Sequence, residues 1–449
     1  MNKYYVLKNF FKYVSLNVIG MIGLSCYILA DTFFVSNALG SNGLAALNFS
    51  ISIYCIINGA GLMIGIGGAT KHSILKSQNE DEKANSIFSN TVIIGMIVGI
   101  IMLIVGIFLS TPIAKLLGAD GSTLTMASNY LTTILCFSPF FILNNIMLAF
   151  IRNDGNPRLS MAAMLIGSFS NIVLDYIFIF PFSMGMFGAA FATGLAPIIS
   201  LCILSSHFIK QNNNFKFIKC KVNIKAIINI LGLGLSAFIT EISSGLVLIL
   251  FNLVILDLTG IVGVAAYGIV ANVALVVISI FTGIAQGIQP LLSEGYGKND
   301  SILMKRVLKY AITLSLGIAT VIYILTFFLS DNIIAAFNSE NNAQLIPIAT
   351  NGLRLYFTGF FFAGSNIVIA AFLSATAKMK SAFVVSIMRG CIAIIPILFI
   401  LTAFGGMNGV WLSFTFAEII TTITAIMFLT KLESKEQKDG EIMNYEIGK

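Results

Sequence analysis

Charge is scarce in this sequence. Only 10% of its 449 residues are Asp, Glu, Lys or Arg, where a soluble globular chain carries about a quarter. A mean hydropathy of +0.94 is more apolar surface than one globular core can hide, which excludes a soluble enzyme and leaves a bilayer as the solvent. Histidine is nearly missing: His72, expected in a loop, and His207, at a helix end, are the only two, and there is no H-E-x-x-H, so histidine-based metal catalysis within the membrane has no ligands. No G-x-x-x-x-G-K-S/T is present, so the chain does not itself hydrolyse ATP, and nothing in it calls for an ATPase subunit. An aspartate-rich cluster able to hold magnesium and a diphosphate is also lacking. The six cysteines contain no C-x-x-C pair, and five of them lie inside apolar runs, where a thiol behaves as a small hydrophobe. A membrane-embedded enzyme is thus left without the groups its chemistry requires.

What is present is a succession of long apolar runs. A spanning helix needs about 20 apolar residues, and runs at 14–36, 44–69, 87–110, 126–149, 160–182 and 187–208 predict six such helices. After a polar stretch, 226–256, 264–292, 307–329, 345–373, 381–404 and 407–429 predict six more. The first run is too long for a signal peptide and lacks a small-residue cleavage site. Of the 26 Lys and Arg, all but Lys115, Arg354 and Arg389 fall in the N-terminal segment, the even-numbered connections and the C-terminal segment. By the positive-inside rule this puts both termini in the cytoplasm of a plasma-membrane protein. The net charge of +7 is thereby accounted for without a nucleic-acid partner.

The sequence repeats at a spacing of 220 to 221 residues. Gly43-Leu44-Ala45-Ala46 returns as Gly263-Val264-Ala265-Ala266, Phe137 with Phe140-Phe141 as Phe357 with Phe360-Phe361, and Gly185-Met186-Phe187-Gly188 as Gly406-Met407-Asn408-Gly409. Six helices return a chain to its starting side, so the halves share one orientation and an axis along the membrane normal relates them. The expected fold is an all-α integral membrane protein: twelve transmembrane helices in two six-helix lobes related by a pseudo-two-fold axis, 1–209 and 226–432. A cytoplasmic tether, 210–225, joins the lobes, and a cytoplasmic tail, 433–449, follows them.

Ionisable groups inside the hydrocarbon cost about 2.5–3.5 kcal/mol each at a helix centre, so those present carry information. Asp31, Asp175 and Glu241 fall somewhat beyond the midplane from the cytoplasmic side, and Glu418 and Arg354 near the middle. Tyr27 stands one turn before Asp31, and Asn171 one turn before Asp175, so each carboxyl shares a helix face with a polar partner. Such a face suits a carboxylate that takes up a proton or sodium ion and releases it when the cleft changes side; a structural hydrogen-bonded carboxyl is the alternative. Glu241, between Thr240 and Ser243-Ser244, suits a cationic substrate or a second ion, against a purely structural role. For Glu418 and Arg354 a buried ion pair is the plainer reading. The 17 Met and 37 Phe suit a cavity for flexible aromatic cations, although most of them face lipid. Gly59, Gly61, Gly65, Gly67 and Gly68 read as close helix packing.

Asp31-Thr32-Phe33-Phe34-Val35-Ser36-Asn37-Ala38-Leu39-Gly40, running into Gly43-Leu44-Ala45-Ala46, resembles the first signature of the multidrug and toxic compound extrusion (MATE) transporters. Arg152 with Gly155-Asn156-Pro157-Arg158, Asn171-Ile172-Val173-Leu174-Asp175, and Gly185 with Gly188-Ala189-Ala190 and Ala192-Thr193 are similar to that family's helix 4 to helix 6 segment. Gln286-Gly287-Ile288-Gln289-Pro290 with Gly295-Tyr296-Gly297 is similar to its segment after helix 8. The resemblance implies efflux of amphipathic, mostly cationic compounds in exchange for protons or sodium ions, with no other cofactor and a monomeric carrier. It implies a cation site of Tyr27, Asp31, Asn171, Asp175 and Thr193, with Asn144 or Asn145 added, and no metal beyond a sodium ion at Asp31 and Asp175. Three positions depart from the pattern: Asn17 and Ser236 stand where many members have proline in helices 1 and 7, and helix 10 holds Arg354 where some sodium-coupled members have an aspartate. A sharp bend of helix 1 then needs another cause, such as Gly20 or Gly23, and Glu241 reads as a substrate or accessory residue. The rival is a lipid-linked saccharide flippase, which needs several cleft Arg or Lys to meet a diphosphate.

Overall fold

A computed structural model describes residues 3–337 and 343–447 of the chain. Its first six helices are α1 (Tyr4–Gly40), α2 (Asn42–Ser77), α3 (Asp81–Leu116), α4 (Gly121–Cys136 continued by Ser138–Asn153), α5 (Pro157–Ile179) and α6 (Gly185–Ile209). The stretch Ile224–Gly297 has 74 residues, which as one rod would reach about 110 Å, several bilayers thick. It is two helices, α7 (224–259) and α8 (261–297), separated by the non-helical Gly260. Then follow α9 (Ser301–Phe328) and α10 (Leu345–Ala375), and Met379–Leu432 divides at Gly406 into α11 (379–405) and α12 (407–432). The chain thus crosses twelve times, in two lobes of six helices. The backbone stays helical past α12 to Ile447, and the last two residues of the expected tail lie outside those described.

Most helices are longer than the apolar runs that predict them: 14–36 becomes Tyr4–Gly40 and 44–69 becomes Asn42–Ser77. Hydropathy registers only the stretch that lipid surrounds, whereas the amide ladder continues into water at no cost. His72, expected in a loop, lies in such an extension of α2 and is buried. The lipid-facing surface is plainest on α3, where Ile97, Ile100, Ile101, Ile104 and Phe108 are exposed.

The repeat is written in the backbone. Gly40 has φ 64°, ψ −155°, and Gly260 has φ 66°, ψ −157°, a region only glycine occupies without strain. Each reverses the chain between two helices. The Tyr27 and Tyr54 hydroxyls meet at 2.7 Å across the first turn, and the Phe251 and Tyr267 rings stack at 5.4 Å across the second. Asn79 and Asn299 (φ 62° and 56°), and Gly185 and Gly406 (φ 58° and 51°), recur in the same way. The helix breaks repeat too: α4 bends by 49° at Phe137, and α10 passes through a single 3₁₀ turn at Phe357–Gly359.

By the count of crossings both chain ends lie at one face of the bundle, and the lobes meet on that side. The first half of α1 packs against the last half of α8, where a Cβ on Gly287 would stand 2.7 Å from Val14 Cα. The last half of α2 meets the first half of α7 through Gly67 and Gly234. Among the described residues these contacts run from the terminal face to mid-depth, ending near Cys55 and Gly245. α1 continues through Gly20 and Gly23 with no non-helical residue before Gly40.

The 210–225 tether is strapped along the first lobe. Its backbone donates to Asn85 Oδ1 from Lys216 N, to Ser89 Oγ from Ile218 N and to Asn90 Oδ1 from Asn223 N, at 2.9 to 3.0 Å. Phe215, fully buried, plugs a cluster of Phe88, Phe150, His72 and His207.

Candidate functional site

In the first lobe, α1 and α5 bring Asp31 and Asp175 together. Asp31 is 7% exposed and Asp175 fully buried, near enough for the charge of one to act on the other. The Oδ1 atom of each is buried without a hydrogen-bond partner. The Asn171 amide, in the orientation that satisfies both its ends, donates to Asp175 Oδ2 at 3.1 Å and accepts from Thr193 N at 3.2 Å. α6 thus supplies the far side of the pocket. Tyr130 of α4 is buried within electrostatic reach of both acids; sequence reasoning missed it because it has no carboxyl or amide group one turn away. Tyr27 turns its hydroxyl to Tyr54 of α2 rather than to Asp31. Two carboxylates with unused oxygens, ringed by hydroxyl and amide groups, make a hard, oxygen-rich environment suited to a proton or an alkali cation.

The two candidate asparagines of α4 separate. Asn144 Oδ1 is buried without a partner, while Asn145 Nδ2 donates to Asn58 Oδ1 of α2 at 3.1 Å. Asn58 Nδ2 in turn donates to Glu241 Oε1 of α7 at 2.9 Å. Asn145 and Glu241, which the sequence places in opposite lobes, are therefore joined through a residue it did not single out. Glu241 also lines a cavity of about 850 Å³, open mouth included, with Thr240, Gln286, Gln289, Asn366 and Arg389 among its walls.

Arg354 and Glu418 do not form the expected ion pair. Glu418, 1% exposed, receives Arg389 Nε on Oε1 at 2.6 Å and Asn366 Nδ2 on Oε2 at 2.7 Å. Asn366 is fixed in turn by Thr422 Oγ1 at 3.0 Å. The reason lies in helix irregularity. A π turn at Met388–Ile392 adds a residue to one turn of α11 and re-aims the side chains there, swinging Arg389 inward. Arg354, just before the 3₁₀ turn of α10, instead faces α9 and lies 4.8 Å over the Phe327 ring, a cation–π contact.

Arg152, quoted above only within a family motif, is buried at the seam between the lobes. Its Nη1 donates to Asn17 Oδ1 of α1 at 3.1 Å and to Gln286 Oε1 of α8 at 2.9 Å, and its Nη2 to Gln289 Oε1 at 3.3 Å. Gln289 Nε2 completes the knot on Thr70 Oγ1 of α2 at 2.5 Å. Gln286 and Gln289 line the cavity on one side and hold Arg152 on the other, so this knot is the cavity floor.

The MatE family model matches residues 18–177 and 236–400. A multidrug export protein, MepA, of Staphylococcus saprophyticus is 28% identical over 422 residues, which cover 93% of this chain and 92% of that one. A solved MATE structure in complex with MaL6 superposes with a TM-score of 0.91 at 22% identity, covering 96% and 97% of the two chains. A multidrug resistance MATE family transporter of the MOP superfamily, solved in an outward-facing conformation, gives 0.90 at 21% identity and 96% of each chain.

Proposed function

Since the chain belongs to the MatE family, whose members are transporters and not enzymes, we propose that it is a secondary antiporter of a plasma membrane with both termini in the cytoplasm. It exports amphipathic, mostly cationic compounds in exchange for inward protons or sodium ions. The observation that carries the reading is the pair Asp31 and Asp175, each with a buried carboxylate oxygen lacking any protein partner. The name of the staphylococcal relative supports the multidrug half of the reading. The cavity also weighs against a diphosphate-bearing lipid, because a single Arg or Lys, Arg389, lines it where a diphosphate calls for several.

In this reading the lobes are closed on the cytoplasmic side, as in an outward-facing carrier. Substrate and coupling ion drive the cycle only through their different affinities for the two states. Binding of the ion at Asp31, Asp175, Asn171, Thr193 and Tyr27 expels the compound, with Asn144 or Asn145 completing that site and Glu241 meeting the compound's charge. One proton exchanged for one monocation moves no net charge, and each further cation adds about 2.3 kcal/mol per 100 mV.

Purified protein in proteoliposomes, with a proton and a sodium gradient imposed in turn and ethidium as the cation, tests this. Flux under one gradient identifies the coupling ion. Asp31→Asn is expected to fold and bind dye while gradient-driven flux falls to the leak rate; normal flux by this variant would overturn the assignment.

A further inference from the structure

One cavity presents opposite charges on neighbouring walls. Glu241 on α7 supplies a carboxylate, and Arg389 on the π turn of α11 a guanidinium. α11 lies directly against α7 at this depth: Ser243 Oγ and Cys391 Sγ are 3.7 Å apart, and Gly390 packs on the Ser243 side chain. The two charged residues are therefore each two positions from a single point of helix contact.

Arg389 is not used up by its ion pair. Only its Nε reaches Glu418, and a guanidinium carries further N–H donors on its two terminal nitrogens in a rigid plane. Glu418 is oriented by Asn366, and Asn366 by Thr422. This chain of three residues does what a buried support must do: it fixes the plane of the guanidinium and leaves its outer edge to the cavity.

We infer that Arg389 is a specificity-determining residue that receives a carboxylate of the transported compound while Glu241 receives its cationic group, so that zwitterionic amphiphiles are bound in preference to their singly charged esters. The inference rests on the efflux reading and sharpens its substrate class. The paired donors of a planar guanidinium match a carboxylate's two oxygens, and the contact is strongest where water is excluded.

The test is equilibrium binding to detergent-purified protein with no gradient, read by fluorescence anisotropy. The probes are rhodamine 6G, an ethyl ester, and its free acid. The wild type is expected to favour the acid, and the preference ratio to fall about tenfold in Arg389→Gln, the loss of one charge-assisted contact. Because Arg389→Gln leaves Glu418 buried without its partner, the double variant Arg389→Gln, Glu418→Gln removes both charges together and is expected to lose the preference equally. Arg389→Lys is expected to recover part of it. A preference ratio in the double variant equal to that of the wild type would overturn the role of Arg389 and leave the efflux reading standing. Failure of the wild type to bind either dye would overturn both.

Discussion

Arg152 brings a full charge into a seam where it meets only neutral oxygens. Such a cation is stable while Asn17, Gln286 and Gln289 surround it, and each of those contacts is a charge-assisted bond of about 1.5–3 kcal/mol. Two of the three partners lie on α8, in the other lobe, so parting the lobes at the terminal face breaks them. Arg152→Gln is therefore expected to favour the state opened at that face. In a background free of the six native cysteines, Thr70→Cys should react about tenfold faster with a membrane-impermeant thiol reagent when Arg152→Gln is added. Unchanged labelling would show that the knot does not hold the seam. Asn17 matters here for a second reason, because it occupies a place where many of the proteins this chain resembles have a proline. Its Nδ2 donates to Tyr13 O within its own helix at 3.0 Å, so it supports the ladder a proline would break and offers its oxygen to the other helices.

At the scale of the element, the turns are where the chain is least tolerant. A Cβ at Gly260 would meet nothing within 4 Å, so the whole effect of Gly260→Ala is backbone strain, about 1–3 kcal/mol. A lower midpoint of thermal unfolding in detergent is the expected result, and an unshifted midpoint would show that the turn relaxes. These elements also show what was legible in the sequence. Twelve apolar runs and the repeat spacing could be read directly, because period, length and position along a helix are written in one dimension. Asp31 and Asp175 could be placed in one lobe for the same reason. The direction a side chain faces could not be read wherever a helix departs from regular winding. Arg389 takes the place expected for Arg354 beside Glu418, at a π turn that periodicity alone does not reveal. Asn58 and Tyr130 escaped notice because uncharged polar residues are common in membrane helices and carry little signal of function, even with Tyr54 one turn before Asn58 and Thr133 one turn after Tyr130.

At the scale of the whole molecule, two like lobes grip each other through close glycine contacts between α1 and α8 and between α2 and α7. Close approach of Gly287 to Val14 makes that grip testable. Gly287→Ala, whose Cβ would clash with the Val14 backbone, is expected to disfavour the state closed at that face and to speed labelling of Thr70→Cys in the same cysteine-free background; unchanged labelling would show that the lobes need not meet so closely there. The strap between the lobes bears on how such a molecule is made. Its partners Asn85, Ser89, Asn90 and Asp154 all precede it in the chain, and Phe215 enters a cluster formed by residues that also precede it. During synthesis, which runs from the N-terminus, every one of those partners has left the ribosome before the strap does. The first half of the protein can therefore finish and seal its own edge while the second is still being translated, and the first turn of α7 is handed to the membrane from an anchored point.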